Sequence, residues 1–220
     1  ILFFVPVILF GQQYCGTTLN HKQKLYLSQD KMKRNTWIQN KTTLNVPVQH
    51  HIVRESDGSS GLLPSHIIDI MNVVNSYYSN ANIQFYNCDS INFIDNSSFF
   101  NFSSYYEDIL CETYDVENVV NIYYFNTVTS RAGNGLCGYT FFPPSADRII
   151  MKNSCALNGS TLSHEFGHYF SLYHTHGSTN NGTTTELVDG SNCTTDGDEL
   201  CDTPADPNLS GVVNTLCEYT

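Results

Sequence analysis

One stretch of the sequence, residues 164–174, constrains the chain more than any other, because it carries three histidines at a fixed spacing. It reads HEFGHYFSLYH. If this stretch begins as a helix, His164 and His168 lie one turn apart, and their Cβ atoms are about 5–6 Å from each other on one face. Two imidazole nitrogens at that spacing can both reach one zinc ion at about 2.0–2.1 Å. The spacing therefore predicts that His164 and His168 share a metal ion.

Glu165 and His174 complete the predicted site. Glu165 is turned about 100° around the helix from His164, where it does not ligate easily but can take a proton from water activated by the metal. His174 supplies a third ligand if the chain turns sharply after Phe170, which leaves the fourth position open, as in a catalytic zinc site. A structural site would need a further Cys or His nearby. We predict Glu165 as the general base; three histidines on an ordinary surface helix are the alternative.

The same stretch resembles the metzincin signature H-E-x-x-H-x-x-G-x-x-H, with one departure. Ser171 stands where the family has glycine. The glycine allows the turn that returns the third ligand, and a residue other than glycine pays about 1–2 kcal/mol in the left-handed conformation. A folded domain tolerates that cost, so Ser171 is a mild departure that bears on activity.

The flanking residues resemble the pappalysin family of metzincins, whose bacterial members include ulilysin-like and cytophagalysin-like enzymes. The resemblance rests on residues 161–163, 172–175 and 198–205 and extends over about residues 44–220. It implies an α/β, metzincin-like zincin fold with a twisted, mostly parallel sheet, a backing helix and an active-site helix. It also implies a zinc-dependent endopeptidase that binds a protein or peptide substrate as an extended strand.

Composition excludes several other classes of protein. With 220 residues, 40% of them hydrophobic, the chain can form one catalytic domain with a substantial core. Its net charge of −11 argues against binding to nucleic acid or to anionic membranes. The eight cysteines include no C-x-x-C pair, so we expect disulfides formed in an oxidising compartment.

The first 44 residues are predicted to precede the catalytic domain. Residues 1–12 are mostly apolar and end in Gly and Gln, which is typical of a secretory signal peptide and too short for a membrane span. A buried strand is the alternative. Because no Met or basic segment precedes residue 1, we expect the N-terminus to be truncated. Residues 13–44 are interpreted as a prosegment or linker of a secreted protein.

A cysteine in this prosegment is a candidate latency ligand. Residues 14–17 read YCGT and resemble the Cys-Gly-Thr of pappalysin-like precursors, in which a prosegment cysteine can hold the zinc ion. A thiolate is a strong zinc ligand, so Cys15 can block the open position of the metal. Half of an ordinary disulfide is the alternative role for Cys15.

Residues 45–220 are predicted to form the catalytic domain. Alternating apolar residues at 45–53, helical spacing at 64–78 and a short strand at 83–86 indicate a right-handed crossover in a parallel sheet. His50 and His51 are therefore assigned to a strand rather than to a metal. Residues 137–143 resemble the metzincin edge strand that pairs with substrate. Two further strands are predicted at 119–125 and 148–151, and a short helix near 105–110.

The end of the sequence carries an acidic, loop-like segment. Asp196, Asp198 and Asp202 are candidate calcium ligands, because calcium takes six to eight oxygen ligands and because ulilysin-like enzymes are similar here. A solvated acidic loop is the alternative. The methionine turn that metzincins place below the zinc does not occur after Asp206. We therefore expect the C-terminus to be truncated as well.

A second function remains open at this point. A secreted binding or adhesion module that keeps the fold and has lost catalysis would explain Ser171 and the missing methionine turn. The sequence favours the peptidase, since all the residues that the chemistry requires are present.

Overall fold

A computed structural model of the chain describes residues 15–34, 42–177 and 184–206. These residues belong to two units, one within residues 14–173 and one that begins at His174. The predicted signal peptide and residues 207–220 lie outside the described ranges. Within those ranges, no helix has the length and apolar character needed to cross a membrane.

The described residues of the larger unit include nine strands in two sheets. The strands are β1 (Leu44–Arg54), β2 (Ile83–Asn87), β3 (Asn92–Asp95), β4 (Asn101–Ser103), β5 (Val120–Phe125), β6 (Thr127–Thr129), β7 (Gly135–Leu136), β8 (Gly138–Thr140) and β9 (Arg148–Lys152). The main sheet has the order β2-β1-β5-β9-β8, with β3 also paired to β1, and a small sheet has the order β4-β6-β7. In the main sheet all pairs are parallel except β8 with β9. The predicted α/β fold with a mostly parallel sheet is therefore observed.

Six α-helices accompany these strands within the ranges that the structure describes. They are α1 (His21–Arg34), α2 (Pro64–Tyr78), α3 (Ser97–Phe100), α4 (Glu107–Tyr114), α5 (Asn153–Ala156) and α6 (Ser160–Tyr169). The order β1, α2, β2 agrees with the predicted crossover. Residues 88–117, for which only a short helix was predicted, contain β3, α3, β4 and α4. Their many polar residues hide the periodicity on which the prediction relied.

Apolar clusters cover both faces of the main sheet. Every residue of β5 is buried, and its side chains alternate between the faces, as the two-residue period of a strand requires. Ile122 and Tyr124 pack with α2 and α6, whereas Tyr123 and Phe125 pack with α4 and the small sheet. A strand covered on both sides has no solvent face, which explains why its sequence is apolar nearly throughout.

The described part of the second unit, residues 174–177 and 184–206, consists of turns and one isolated bridge between His174 and Gly177. A disulfide joins Cys193 to Cys201. The side chain of Glu186 is buried beside Gly197, whose φ of 63° lies in the left-handed region. The disulfide closes a short loop and limits the conformations available to the unfolded segment.

Candidate active site

Two features determine where α6 begins, a side chain that caps its N-terminus and a glycine that packs closely against α2. The side chain of Asn158 accepts hydrogen bonds from the backbone N–H groups of Ser160 (3.0 Å) and Thr161 (3.2 Å). Gly159 adopts a φ of 69°, and a Cβ atom there would lie 2.6 Å from Cβ of Val73 on α2. Only glycine combines that conformation with that approach, so residues 158–159 fix where the helix starts.

The C-terminus of α6 makes the sharp turn that the sequence predicted. Ser171 has a φ of 75°. Its N–H donates to the carbonyl of His168 (2.8 Å), and the N–H of Leu172 donates to the carbonyl of Gly167 (2.9 Å). This pair of bonds is a Schellman motif, which usually has glycine at the position of Ser171. The serine therefore makes the turn despite its Cβ atom.

His164 and His168 project from one face of α6, one turn apart. Their Nε2 atoms are 3.0 Å from each other. The Nδ1–H of His168 donates to the carbonyl of Leu172 (2.7 Å), and in that tautomer Nε2 of His168 carries the lone pair. Burial, together with the neighbouring His164, lowers the pKa of His168 to about 4. A neutral ring held by a backbone carbonyl through its other nitrogen is the state that a metal ligand needs.

The thiol of Cys15 lies with these two histidines. One candidate ligand atom from each of Cys15, His164 and His168 lies within 4.8 Å of the others. Burial, followed in size by the charge of Glu165, raises the pKa of Cys15 to about 12. The protonated thiol donates to Oε2 of Glu165 over 3.8 Å. A coordinated metal would remove that proton, so a sulfur and two imidazole nitrogens form a donor set that fits zinc.

The side chain of Glu165 on α6 is fully buried and lies next to Gly138 of β8. Its Oε2 accepts a hydrogen bond from the hydroxyl of Thr17 (3.0 Å), and its Oε1 has no hydrogen-bond partner among the described residues. Burial raises the pKa of Glu165 to about 7, and the hydrogen bonds from Thr17 and Cys15 offset part of that rise. A carboxyl group with this pKa can both take up and release a proton near neutral pH.

Residues 15–17 lie along β8, which is the end strand of the main sheet. Cys15 pairs with Gly138 in a parallel bridge, and the N–H of Gly16 donates to the carbonyl of Gly138 (2.8 Å). The Thr17 hydroxyl accepts a hydrogen bond from the N–H of Thr140 (2.9 Å). A Cβ atom at Gly138 would lie 3.3 Å from Cγ of Glu165, so this glycine lets β8 run close to the carboxylate. The segment thus lies along the edge of the main sheet that β8 forms.

Two comparison structures share this architecture, whereas no family model and no curated protein matches the chain. A variant of promirolysin from Tannerella forsythia superposes with a TM-score of 0.59 at 20% identity, over 89% of this chain and 77% of that one. Mature mirolysin from the same organism, in complex with a cleaved peptide, gives 0.52 at 20% identity over 77% and 74%. The chain has the fold of mirolysin. The predicted metzincin-like α/β fold is thereby confirmed.

His174, the predicted third ligand, is the first residue of the second unit. Its ring stacks on the ring of His176 with centroids 5.0 Å apart. It follows Tyr173 directly, after the turn at Ser171 has reversed the chain. His174 lies six residues after His168 in the sequence. Its role as a zinc ligand stays a prediction.

The candidate calcium ligands are occupied by hydrogen bonds within the second unit. The carboxylate of Asp196 accepts from the hydroxyls of Thr185 and Thr195, and that of Asp198 accepts from the Leu200 N–H and the Thr203 hydroxyl. In the described part of the chain, Asp196, Asp198 and Asp202 do not form a group of potential metal ligands. Their assignment to calcium stays a prediction that rests on resemblance.

His50 and His51 belong to β1, as the sequence indicated. The ring of His50 contacts the hydroxyl of Tyr124 (3.1 Å) and the amide oxygen of Asn87 (3.0 Å). Nε2 of His51 lies 3.0 Å from Oδ1 of Asn121. Burial lowers the pKa of His50 to about 4 and also lowers that of His51. These rings are neutral members of the core.

A cavity of about 530 Å³ lies on the other side of β8 and of residue 16. Glu107, which lines it, accepts a hydrogen bond from the hydroxyl of Tyr139 (2.6 Å). Arg148 bonds to Asp115 (2.5 Å) and lies 3.6 Å from Glu107. Burial raises the pKa of Glu107, although Tyr139 and Arg148 offset part of the rise. Glu107 and Arg148 therefore form a charged part of the cavity wall next to β8.

Proposed function

We propose that the chain is a secreted zinc-dependent metalloendopeptidase in which Glu165 acts as the general base. The observation that carries the proposal is the pair of histidine nitrogens 3.0 Å apart on the helix that also carries the buried carboxyl group of Glu165. Both comparison structures are metallopeptidases, which supports the same kind of chemistry. The reaction is the hydrolysis of peptide bonds in proteins.

Each residue has a defined role in this proposal. His164 and His168, with His174 as the predicted third ligand, would hold the zinc ion, and a bound zinc would supply Lewis-acid activation of the scissile carbonyl and of a water molecule. Glu165 removes a proton from that water at its carboxylate and passes it to the leaving amine. A carboxyl group suits both steps, because the same group must be a base first and an acid afterwards.

The substrate is proposed to bind as an extended strand along β8. The backbone groups of Gly138 and Thr140 already pair with residues 15–17 of the chain itself. The complex of mature mirolysin with a cleaved peptide supports a peptide ligand for this fold. Peptide backbone groups give affinity in such a pairing, and side-chain pockets beside the strand give specificity.

Residues 13–44 are proposed to keep the enzyme latent until they are removed, with Cys15 as a zinc ligand. The proximity of the Cys15 thiol to His164 and His168 supports this role, and so does the likeness to a pro-form, promirolysin. The disulfides Cys137–Cys155 and Cys193–Cys201 support an extracellular location. The turn at Ser171 weakens the case for a binding module, because the serine accommodates the geometry that the signature requires.

The proposal is tested with Glu165→Ala in the processed full-length product. Loss of the general base is expected to lower peptide cleavage by about 10²–10⁴-fold while one equivalent of zinc stays bound. Glu112→Ala is the matched control, because Glu112 is an exposed glutamate on α4. Zinc content is measured by mass spectrometry and cleavage with a mixed peptide library. Substantial cleavage by Glu165→Ala, or cleavage that survives a zinc chelator, would remove the assignment.

A further inference from the structure

Thr17 lies between β8 and α6. Its side chain is 4% exposed and contacts both elements through one hydroxyl group. The hydroxyl donates to Oε2 of Glu165 over 3.0 Å and accepts from the N–H of Thr140 over 2.9 Å. Glu165 and Thr140 come from α6 and β8, so the hydroxyl links the proposed base to the proposed substrate edge.

We infer that the Glu165 carboxylate and the Thr140 N–H together form a binding site for an aliphatic hydroxyl group, and that Thr17 fills it in the latent chain. The inference deepens the proposed function and rests on it for one consequence, the inhibition of peptide hydrolysis. While Thr17 is bound, Glu165 Oε2 is already engaged by a donor and the Thr140 N–H is not available to a peptide. The prosegment therefore blocks the base and the substrate edge as well as the metal.

A hydroxyl fits this site because the site offers one acceptor and one donor. An amide N–H needs an acceptor and a carboxylate oxygen needs a donor, and a hydroxyl is a small group that satisfies both at once. Because both partners are buried, replacing the hydroxyl by a methyl group leaves the Thr140 N–H without this acceptor and leaves Glu165 Oε2 with only the longer contact from the Cys15 thiol, which is costly. A threonine hydroxyl therefore satisfies both groups, and Thr17 supplies it here.

The contact of Thr17 is separable from that of Cys15. The two residues are two positions apart in an extended segment, so both side chains point to the same side. The Cys15 sulfur lies with His164 and His168, whereas Thr17 bonds to Thr140, two residues further along β8 than the Gly138 that pairs with Cys15. The two residues also contact each other, because the Thr17 N–H donates to the Cys15 sulfur (3.4 Å) and the Cys15 thiol donates to the same Glu165 oxygen (3.8 Å). Replacing Cys15 removes these two bonds and keeps both partners of the bond between the Thr17 hydroxyl and the Thr140 N–H.

The remainder of the prosegment keeps residue 17 in position independently of the thiol. The side-chain amide of Gln23 donates to the carbonyl of Phe142 (2.9 Å) and to the hydroxyl of Ser145 (3.0 Å). Leu27 on α1 is buried. These contacts lie on the far side of Thr17 from Cys15, so the segment stays anchored when Cys15 is replaced.

The first test measures amide hydrogen exchange of Thr140 in the intact, unprocessed chain. Thr17→Val removes the hydroxyl and keeps the shape, and it is expected to speed exchange of this amide at least about tenfold. Thr17→Ser keeps the hydroxyl and should restore slow exchange. Thr18→Val is the matched control, because Thr18 is the exposed neighbour with the same side chain. Unchanged exchange in Thr17→Val would overturn the inference.

The second test measures cleavage of an internally quenched peptide by intact chains. Cys15→Ala is expected to stay partly latent, and adding Thr17→Val should raise its cleavage rate by a further 10- to 100-fold, roughly, while adding Thr18→Val should not. If Cys15→Ala alone is as active as Cys15→Ala with Thr17→Val, the second block does not exist and the inference fails. If Thr140 exchange responds as expected and no form of the protein cleaves, even after prosegment removal, the hydroxyl site stands and the peptidase proposal fails.

Discussion

Replacement of Glu165 by glutamine should change how the stability of the metal-free protein depends on pH. Glu165 is fully buried, and its pKa rises from 4.5 to about 7 because burial disfavours the carboxylate. The folded state therefore holds a proton between these pH values that the unfolded state has released. Stability must fall as pH rises through this window, and the loss amounts to about 3 kcal/mol once pH exceeds 7.

The glutamine variant lacks this loss, because its side chain stays neutral and can still accept the hydrogen bond from Thr17. The free energy of unfolding of Glu165→Gln, relative to that of the unchanged chain, should therefore rise by about 3 kcal/mol between pH 4 and pH 8. Urea unfolding of chelator-treated protein at several pH values measures the difference. Glu112→Gln, the same replacement at an exposed position of α4, serves as the matched control.

A difference that is flat with pH, or that changes in the opposite direction, would refute the reasoning. Zinc provides an internal check, since a nearby cation favours the carboxylate and lowers its pKa. With zinc bound, the pH-dependent gain of Glu165→Gln should shrink.

Two further predictions concern the residues that flank the two ends of α6. Ser171→Gly should raise the free energy of unfolding by about 0.5–1 kcal/mol, because glycine adopts the φ of 75° without the serine's strain; unchanged or reduced stability in urea would contradict this. Gly159→Ala should lower the free energy of unfolding by about 2–4 kcal/mol, because the new Cβ would lie 2.6 Å from Cβ of Val73 and the residue would be in a left-handed conformation. A free energy of unfolding within about 0.5 kcal/mol of that of the unchanged chain would contradict this, because it would mean that α2 moves away at little cost.

The parts of the fold and site that the sequence predicted are those with a fixed local period. The spacing of His164 and His168 predicted one helix face, and their nitrogens are 3.0 Å apart. The apolar run at 119–125 predicted a buried strand, and all of β5 is buried. The turn after Phe170 followed from the resemblance, and Ser171 makes it. In each case the signal lies within about ten residues, where chain geometry alone fixes which side chains meet.

The contacts that the sequence did not predict join residues far apart in the chain. The hydroxyl of Thr17 and the carboxylate of Glu165 are 148 positions apart, and no periodicity connects them. The side chain of Asn158 accepts hydrogen bonds from the first N–H groups of α6, and no periodic pattern marks that role, because Asn, Ser and Thr all suit a position before a helix. The segment 88–117 was left largely unassigned for a similar reason. Its strands are short, and they depend on partners elsewhere in the sheets.

The triplet Cys15, Gly16, Thr17 becomes intelligible only once its pairing with β8 is known. In an extended segment the first and third side chains share one side, and here that side faces the histidines and Glu165. The middle residue faces the other way, where a Cβ atom would lie 2.7 Å from Cδ1 of Leu136 and 3.1 Å from Cβ of Tyr139. Glycine thus allows the segment to approach β8 closely enough for the N–H of Gly16 to bond with Gly138. The three residues thus meet three physical requirements. Cys15 offers a thiol to the metal, Gly16 lets the segment approach β8, and Thr17 offers a hydroxyl to Glu165. Replacement of any one of them should weaken the inhibition by the prosegment through a different contact.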